Sequence, residues 1–166
     1  MFSWPYSHLL INHFPVVLSV VALGTSILAL LVRRRGIWQT AMAALTIAGA
    51  FVYPVHFTGD KAGEVLEHSW YIKPGALDAH DKAAAIAMWV ILLAGVFAAY
   101  SWWRSLKRSH EILPGWMRAG VLVGALAAVV SVTYTAYLGG KIIHDAAILR
   151  TPTAPAGYAA PSQSEP

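Results

Sequence analysis

The chain carries seven histidines and no cysteine, so metal or redox chemistry here rests on imidazole nitrogen and carboxylate oxygen. Disulfides, thiolate-held iron–sulfur clusters and the C-x-x-C-H attachment of c-type haem are excluded together. Six histidines (His8, His13, His56, His68, His80 and His144) stand at or between the ends of long apolar runs, and His110 stands apart from them. Ionisable residues in a spanning segment are costly and usually face a bundle interior or mark a functional path. Neutral imidazole serves zinc, copper, iron and nickel alike, so the ligand type alone does not choose the metal.

The elements that must position these imidazoles follow from composition. The chain has 166 residues, of which 57% are hydrophobic and 12% charged, with a mean hydropathy of +0.55. That is the balance of a membrane protein. Four apolar runs, Leu9 to Val32, Ile37 to Phe57, Ala83 to Trp103 and Trp116 to Leu138, each reach the roughly 20 residues that a helix needs to cross a hydrocarbon layer of about 30 Å. Spanning strands are shorter and alternate in polarity. The expected fold is all-α: an integral membrane four-helix bundle of antiparallel up-down topology over residues 1–150. The segment TPTAPAGYAAPSQSEP, Thr151 to Pro166, is expected to be a disordered external tail.

The formal charge of +4 is concentrated in RRR at Arg33 to Arg35 and RSLKRSH at Arg104 to His110. Basic clusters in short loops beside helix ends mark the cytoplasmic side. Both chain termini and the loop between the second and third runs are then outside, and nucleic acid is not an expected partner. No lysine or arginine precedes Arg33, so the first run lacks the basic start of a cleaved signal peptide. The reading is a multi-pass protein of a bacterial inner membrane, with its histidines at the periplasmic face.

His8 and His13 open the first helix, His56 closes the second, His80 opens the third and His144 closes the fourth. Antiparallel packing gathers those ends. Counting at about 1.5 Å per residue from the opposite side puts His13 and His56 about 6–9 Å deeper than His8, His80 and His144. His8 and His13, five residues apart, point about 140° apart and address different neighbours. For His68 and His110 the ordinary reading is a hydrogen-bonded boundary residue.

One histidine from each of four helices is the pattern by which a bundle builds a cofactor site. The carboxylates Asp60, Glu64, Glu67, Asp78, Asp81 and Asp145 are placed in loops or just past helix ends, and no Glu-x-x-His pattern projects inward as a di-iron site requires. A three-histidine zinc or copper site stays open, without an H-E-x-x-H to support it. Haem b fits better, because two helices supply axial histidines and the porphyrin fills apolar space between them. Lys61, Lys82 and Lys141 lie where propionates reach the membrane surface, although interfacial anchoring is an equal reading. The small residues of AMAALTIAGA (Ala41 to Ala50), AGVLVGALAAVV (Ala119 to Val130) and LGGK (Leu138 to Lys141) permit close helix approach and leave room for a flat ring. Pro15 and Pro54 free backbone carbonyls near His13 and His56, and are expected to kink their helices.

Four spaced signatures, HLLINHFP, FTGDKAGEVLE, DAHDKAAA and LGGKIIHD, resemble in order the landmarks of a bacterial family of four-helix membrane proteins of unknown function. Its patterns are Asn-His-x-Pro, Thr-Gly-x-x-Ala, His-Glu-x-x-Ala and Gly-Gly-x-x-x-His. The resemblance covers about 140 residues and falls on His8, Asn12, His13, Pro15, Thr58, Gly59, His80, Ala84, Gly139, Gly140 and His144. Asp81 stands where the family has glutamate, and His56 lies outside the pattern. Related domains are associated with Rieske or cytochrome modules, so the resemblance implies a redox setting without naming an activity.

The expectation is therefore a b-type cytochrome subunit rather than a stand-alone enzyme, with no catalytic nucleophile or base. One or two haems would be held by pairs drawn from His13, His56, His80 and His144, with His8 in reserve. If there are two, depth pairs His13 with His56 and His80 with His144. Electrons would pass between a quinol or a c-type cytochrome and other respiratory or redox subunits in the bilayer. The alternatives are a histidine-held zinc or copper site, with Asp81 or Asp145 as base or supporting partner, and a cofactor-free structural subunit.

Overall fold

The computed structural model describes residues 3–73, 75–108 and 113–144, and over these the chain is helical without strands. The helices are α1 (Trp4–Ile11), α2 (His13–Val32), α3 (Arg35–Leu66), α4 (Ala76–Lys107) and α5 (Gly115–His144). Together α1 and α2 make one rod, giving four helices long and apolar enough to cross a membrane. His110, Asp145 and the tail at 151–166 lie outside the described residues.

The break between α1 and α2 falls at Asn12, and Pro15 explains it. Proline has no N–H to give the carbonyl four residues back, and its ring crowds that carbonyl. The interruption therefore separates His8 from His13. Pro54, in contrast, lies inside an unbroken α3. At the far end of α2 the chain turns sharply through Arg33, which has a left-handed backbone (φ 56°) and donates its N–H to Ala29 O. Gly75 (φ 80°) makes the corresponding turn into α4.

The helices outlast the apolar runs. α3 continues to Leu66 and α4 begins at Ala76, so Asp60, Glu64, Asp78 and Asp81 stand on helices and not in loops, with Glu67 capping the end of α3. Ion pairs support the polar extensions: Lys61 Nζ to Glu64 at 2.8 Å, three residues on, and Lys82 Nζ to Asp78 at 2.8 Å, four residues back. Such neighbours share a helix face. Hydropathy alone ended these helices about two to three turns too early.

α2 and α4 lie on opposite corners of the bundle, each packed on both α3 and α5, while α1 leans on α3. The direction alternates from helix to helix: at one end His8 of α1 meets Val55 late in α3, and at the other Gln39, early in α3, donates to Ser105 Oγ late in α4. Arg35 also donates to the Ser105 carbonyl. The core is built from small residues, among them Ala22, Ala29, Ala41, Ala48, Ala98, Ala125 and Ala128. α3 and α4 touch backbone to backbone, since a Cβ added to Gly49 would stand 2.9 Å from Gly95 Cα. Small side chains let spanning helices approach this closely. Large apolar residues such as Leu31, Ile86, Leu93 and Val123 face outward, as a lipid-facing surface requires.

The bundle is a doubled hairpin. Set His8 on His80, and buried Pro15, Ser19, Ala22, Ser26 and Ala29 fall on buried Ala87, Ile91, Ala94, Ala98 and Ser101. Set Gly59 on Gly139, and buried Ala41, Leu45, Ala48, Val52 and Ala62 fall on buried Val121, Ala125, Ala128, Val132 and Ile142. The first hairpin is α1–α2–α3 and the second is α4–α5.

Candidate functional site: a histidine-lined cavity

Between the hairpins, at the end where α1 and α4 begin, lies a cavity of about 270 Å³. Its apolar wall includes Pro15, Val52, Ala87, Met88, Ile91 and Val132, and its polar groups are His8, Asn12, His13, His56, Asp60, His80, Asp81 and Thr135. An apolar hollow with a few convergent polar groups is the usual form of a small-molecule site.

Two of its histidines occupy matched seats. The His8 ring packs on Gly59, where an added Cβ would be 3.0 Å from Cε1 and 3.3 Å from Nδ1. The His80 ring packs on Gly139 with the same two distances, 3.0 and 3.3 Å. His8 Nδ1 lies 3.1 Å from the carbonyl of Val55, one turn before Gly59. His80 Nδ1 lies 3.0 Å from the carbonyl of Thr135, one turn before Gly139. Only glycine leaves a helix surface open enough for a ring to lie on it at this distance. A carbonyl partner fixes the proton on Nδ1, and the Nε2 lone pair is then free for a metal. Each imidazole also staples its own helix to the other helix of its hairpin.

The other histidines are held differently. His13 Nδ1 donates to Leu9 O at 2.8 Å, within its own rod. His56 Nδ1 lies 3.7 Å from Asp60 Oδ1, one turn on along α3. Asp81 leans toward α3, its Oδ2 4.0 Å from where a Cβ on Gly63 would be. His68 is exposed beyond the end of α3.

Of the sequence candidates, the fold brings His8, His13, His56 and His80 to one cavity. His144 does not line it: exposed at the end of α5, it lies against Gly140 of its own helix, so the cavity gives the expected pairing of His80 with His144 no support. Nor do Lys82 and Lys141 line it, the first paired with Asp78 and the second 5.6 Å over the Tyr137 ring. Among the described residues no group of three or more histidine and carboxylate side chains is poised to hold a metal ion.

Sequence reasoning missed the glycine seats, and it named Asp60 and Asp81 but put them in loops or just past helix ends. The repeated Phe57-x-Gly59-x-Lys61 and Tyr137-x-Gly139-x-Lys141 carry the signal for the seats. Residues on which the family resemblance rests meet in pairs here, His8 with Thr58 (3.4 Å) and Gly59, and His80 with Gly139. In comparisons with family models, curated proteins and solved structures, nothing matches the chain.

Proposed function

We propose that this protein is a membrane b-type cytochrome subunit that holds one haem b between its two hairpins, with His8 and His80 as axial ligands. The observation that carries the reading is the pair of matched seats: two imidazoles, one from each hairpin, line one cavity with Nδ1 committed to a carbonyl and Nε2 left over. Bis-histidine ligation needs two such nitrogens and no third protein donor. The bound group would supply one-electron chemistry; the protein supplies position, an apolar wall and a fixed tautomer. Ligand sites for drug-sized molecules measure roughly 300–1,000 Å³. A porphyrin is larger than the cavity, so seating one requires the surrounding helices to move apart.

The membrane orientation, with the cavity at the periplasmic face of a bacterial inner membrane, belongs to the same proposal and rests on the basic residues at the opposite helix ends. The redox association implied by the family resemblance points the same way. A quinol or a c-type cytochrome is then the electron partner, together with a larger redox complex.

A second reading has its own support. The same two hydrogen bonds make His8 and His80 interhelical staples, which suits a cofactor-free structural subunit. Metal analysis of the purified protein separates the two: the cytochrome carries iron in a fixed ratio to protein, and the structural subunit carries none.

A further inference from the structure

The carboxylates of the bundle are sorted to one end. Among the described residues Asp60, Glu64, Glu67, Asp78 and Asp81 all lie at the cavity end or just beyond it. The opposite end carries Arg33, Arg34 and Arg35 at the turn from α2 to α3, Arg104 and Lys107 late in α4, and Arg118 in the first turn of α5. No described carboxylate stands there to balance them. Exposed arginines such as Arg33 and Arg34 are satisfied by water, but Arg118 is half-buried, and its Nε is shielded from solvent without a hydrogen-bond partner. Half-buried Arg35, in contrast, has acceptors on Ser105 of α4. Set Gly59 on Gly139 again, and Arg118 falls on Trp38, a buried apolar ring. Packing at this position of the fold therefore does not call for a charge.

We infer that Arg118 binds the phosphate of an anionic phospholipid at the basic end of the bundle. Its own helix offers no counter-charge: the first turn of α5 has no acidic residue, and the helix dipole is positive there. Arg118 Nη2 lies 3.9 Å from where a Cβ on Gly115 would be, so the guanidinium reaches back over the first turn toward the helix end. Trp116, two residues away, is exposed, as suits a tryptophan at the level of lipid headgroups. A guanidinium meets a phosphate through two parallel N–H···O bonds, and partial burial protects such a pair from screening by salt. A lipid with net negative charge is favoured over a zwitterionic one, because the field of the surrounding arginines has no carboxylate to offset it. The inference needs only that the helices span a bilayer, and it is independent of what fills the cavity.

In the experiment the full-length chain, in a neutral detergent, is titrated with phosphatidylglycerol and with phosphatidylcholine, and bound lipid is counted by native mass spectrometry. Hydrogen bonds between charged groups change affinity by about ten-fold or more, so the parent should prefer phosphatidylglycerol by about that factor. Arg118→Gln should lose most of the preference. Arg33→Gln/Arg34→Gln removes two charges but no half-buried one, and should lose less. Arg118→Lys keeps the charge without the planar fork and should fall between the parent and Arg118→Gln. Without added lipid, Arg118→Gln should melt no lower than the parent, because it removes a half-buried charge that is costly when unpaired. Equal binding of the two lipids by the parent, or a larger loss from the Arg33/Arg34 pair, overturns the inference. So does an Arg118→Gln variant that keeps the parent's preference or melts lower. Complete displacement of phosphatidylglycerol by inorganic phosphate overturns it as well, since the site would then be one for a free anion.

Discussion

The imidazole of His8 lies flat enough on Gly59 that a methyl group there would meet its Cε1 at 3.0 Å. The contact binds the first turns of the chain to α3 at the level of the cavity. Alanine at Gly59 must push the ring off its seat and lengthen the bond to Val55 O. Overpacking of this kind costs roughly 1–3 kcal/mol. Gly59→Ala is expected to lower the thermal midpoint in micelles and to weaken haem retention, and Gly139→Ala should do the same through His80. Equal behaviour of the two variants, measured side by side, checks that the seats are equivalent.

Removing the rings tests the same contacts from the other side. His8→Ala and His80→Ala each lose one interhelical hydrogen bond, worth about 1 kcal/mol net, and on the cytochrome reading each also loses an axial ligand. Both should be folded, slightly less stable and unable to hold haem in a six-coordinate form. His144→Ala, beyond the cavity, should match the parent in stability and in haem content. A His144 variant that loses its haem would return that residue to the ligand set.

The contact between Gly49 and Gly95 is independent of any cofactor. Each backbone occupies the space a Cβ on the other would need, at 2.9 and 2.8 Å. Gly49→Ala or Gly95→Ala forces α3 and α4 apart and should cost about 1–3 kcal/mol, read as a lower midpoint of detergent-induced unfolding. Unlike the seat variants, these should keep the imidazole bonds of His8 and His80.

Orientation is open to direct labelling, because the chain has no native cysteine. A single cysteine at Ser69, between α3 and α4, should react with a membrane-impermeant maleimide added to intact cells stripped of their outer membrane. One at Lys107, at the end of α4, should react only after the inner membrane is permeabilised. The opposite pattern would put the cavity on the cytoplasmic side.

The four apolar runs announced the fold, because lipid demands about 20 uninterrupted apolar residues of any spanning helix. They did not announce the helix ends, where pairs such as Lys61–Glu64 and Asp78–Lys82 sustain helix in water after hydropathy has fallen. His8, His13, His56 and His80 were legible as a group, since antiparallel packing gathers helix ends. Their pairing was not, because depth along a helix says nothing about rotation around it. Rotation is decided by packing: Gly59 and Gly139 seat the rings of His8 and His80, while His144 is exposed at the end of α5. The correspondence between the two hairpins was hidden because matched positions share burial more than residue identity, as Pro15 and Ala87 or Leu45 and Ala125 illustrate.

In the proposed function His8 and His80 hold one iron porphyrin between two hairpins. The most direct test is the dithionite-reduced minus oxidised absorption spectrum of the purified protein, recorded beside His8→Ala and His80→Ala. The parent should show a sharp α band and a Soret band from one haem b per chain, both lost or converted to a high-spin form in each variant. A featureless parent spectrum, or a full low-spin spectrum in either variant, would contradict it.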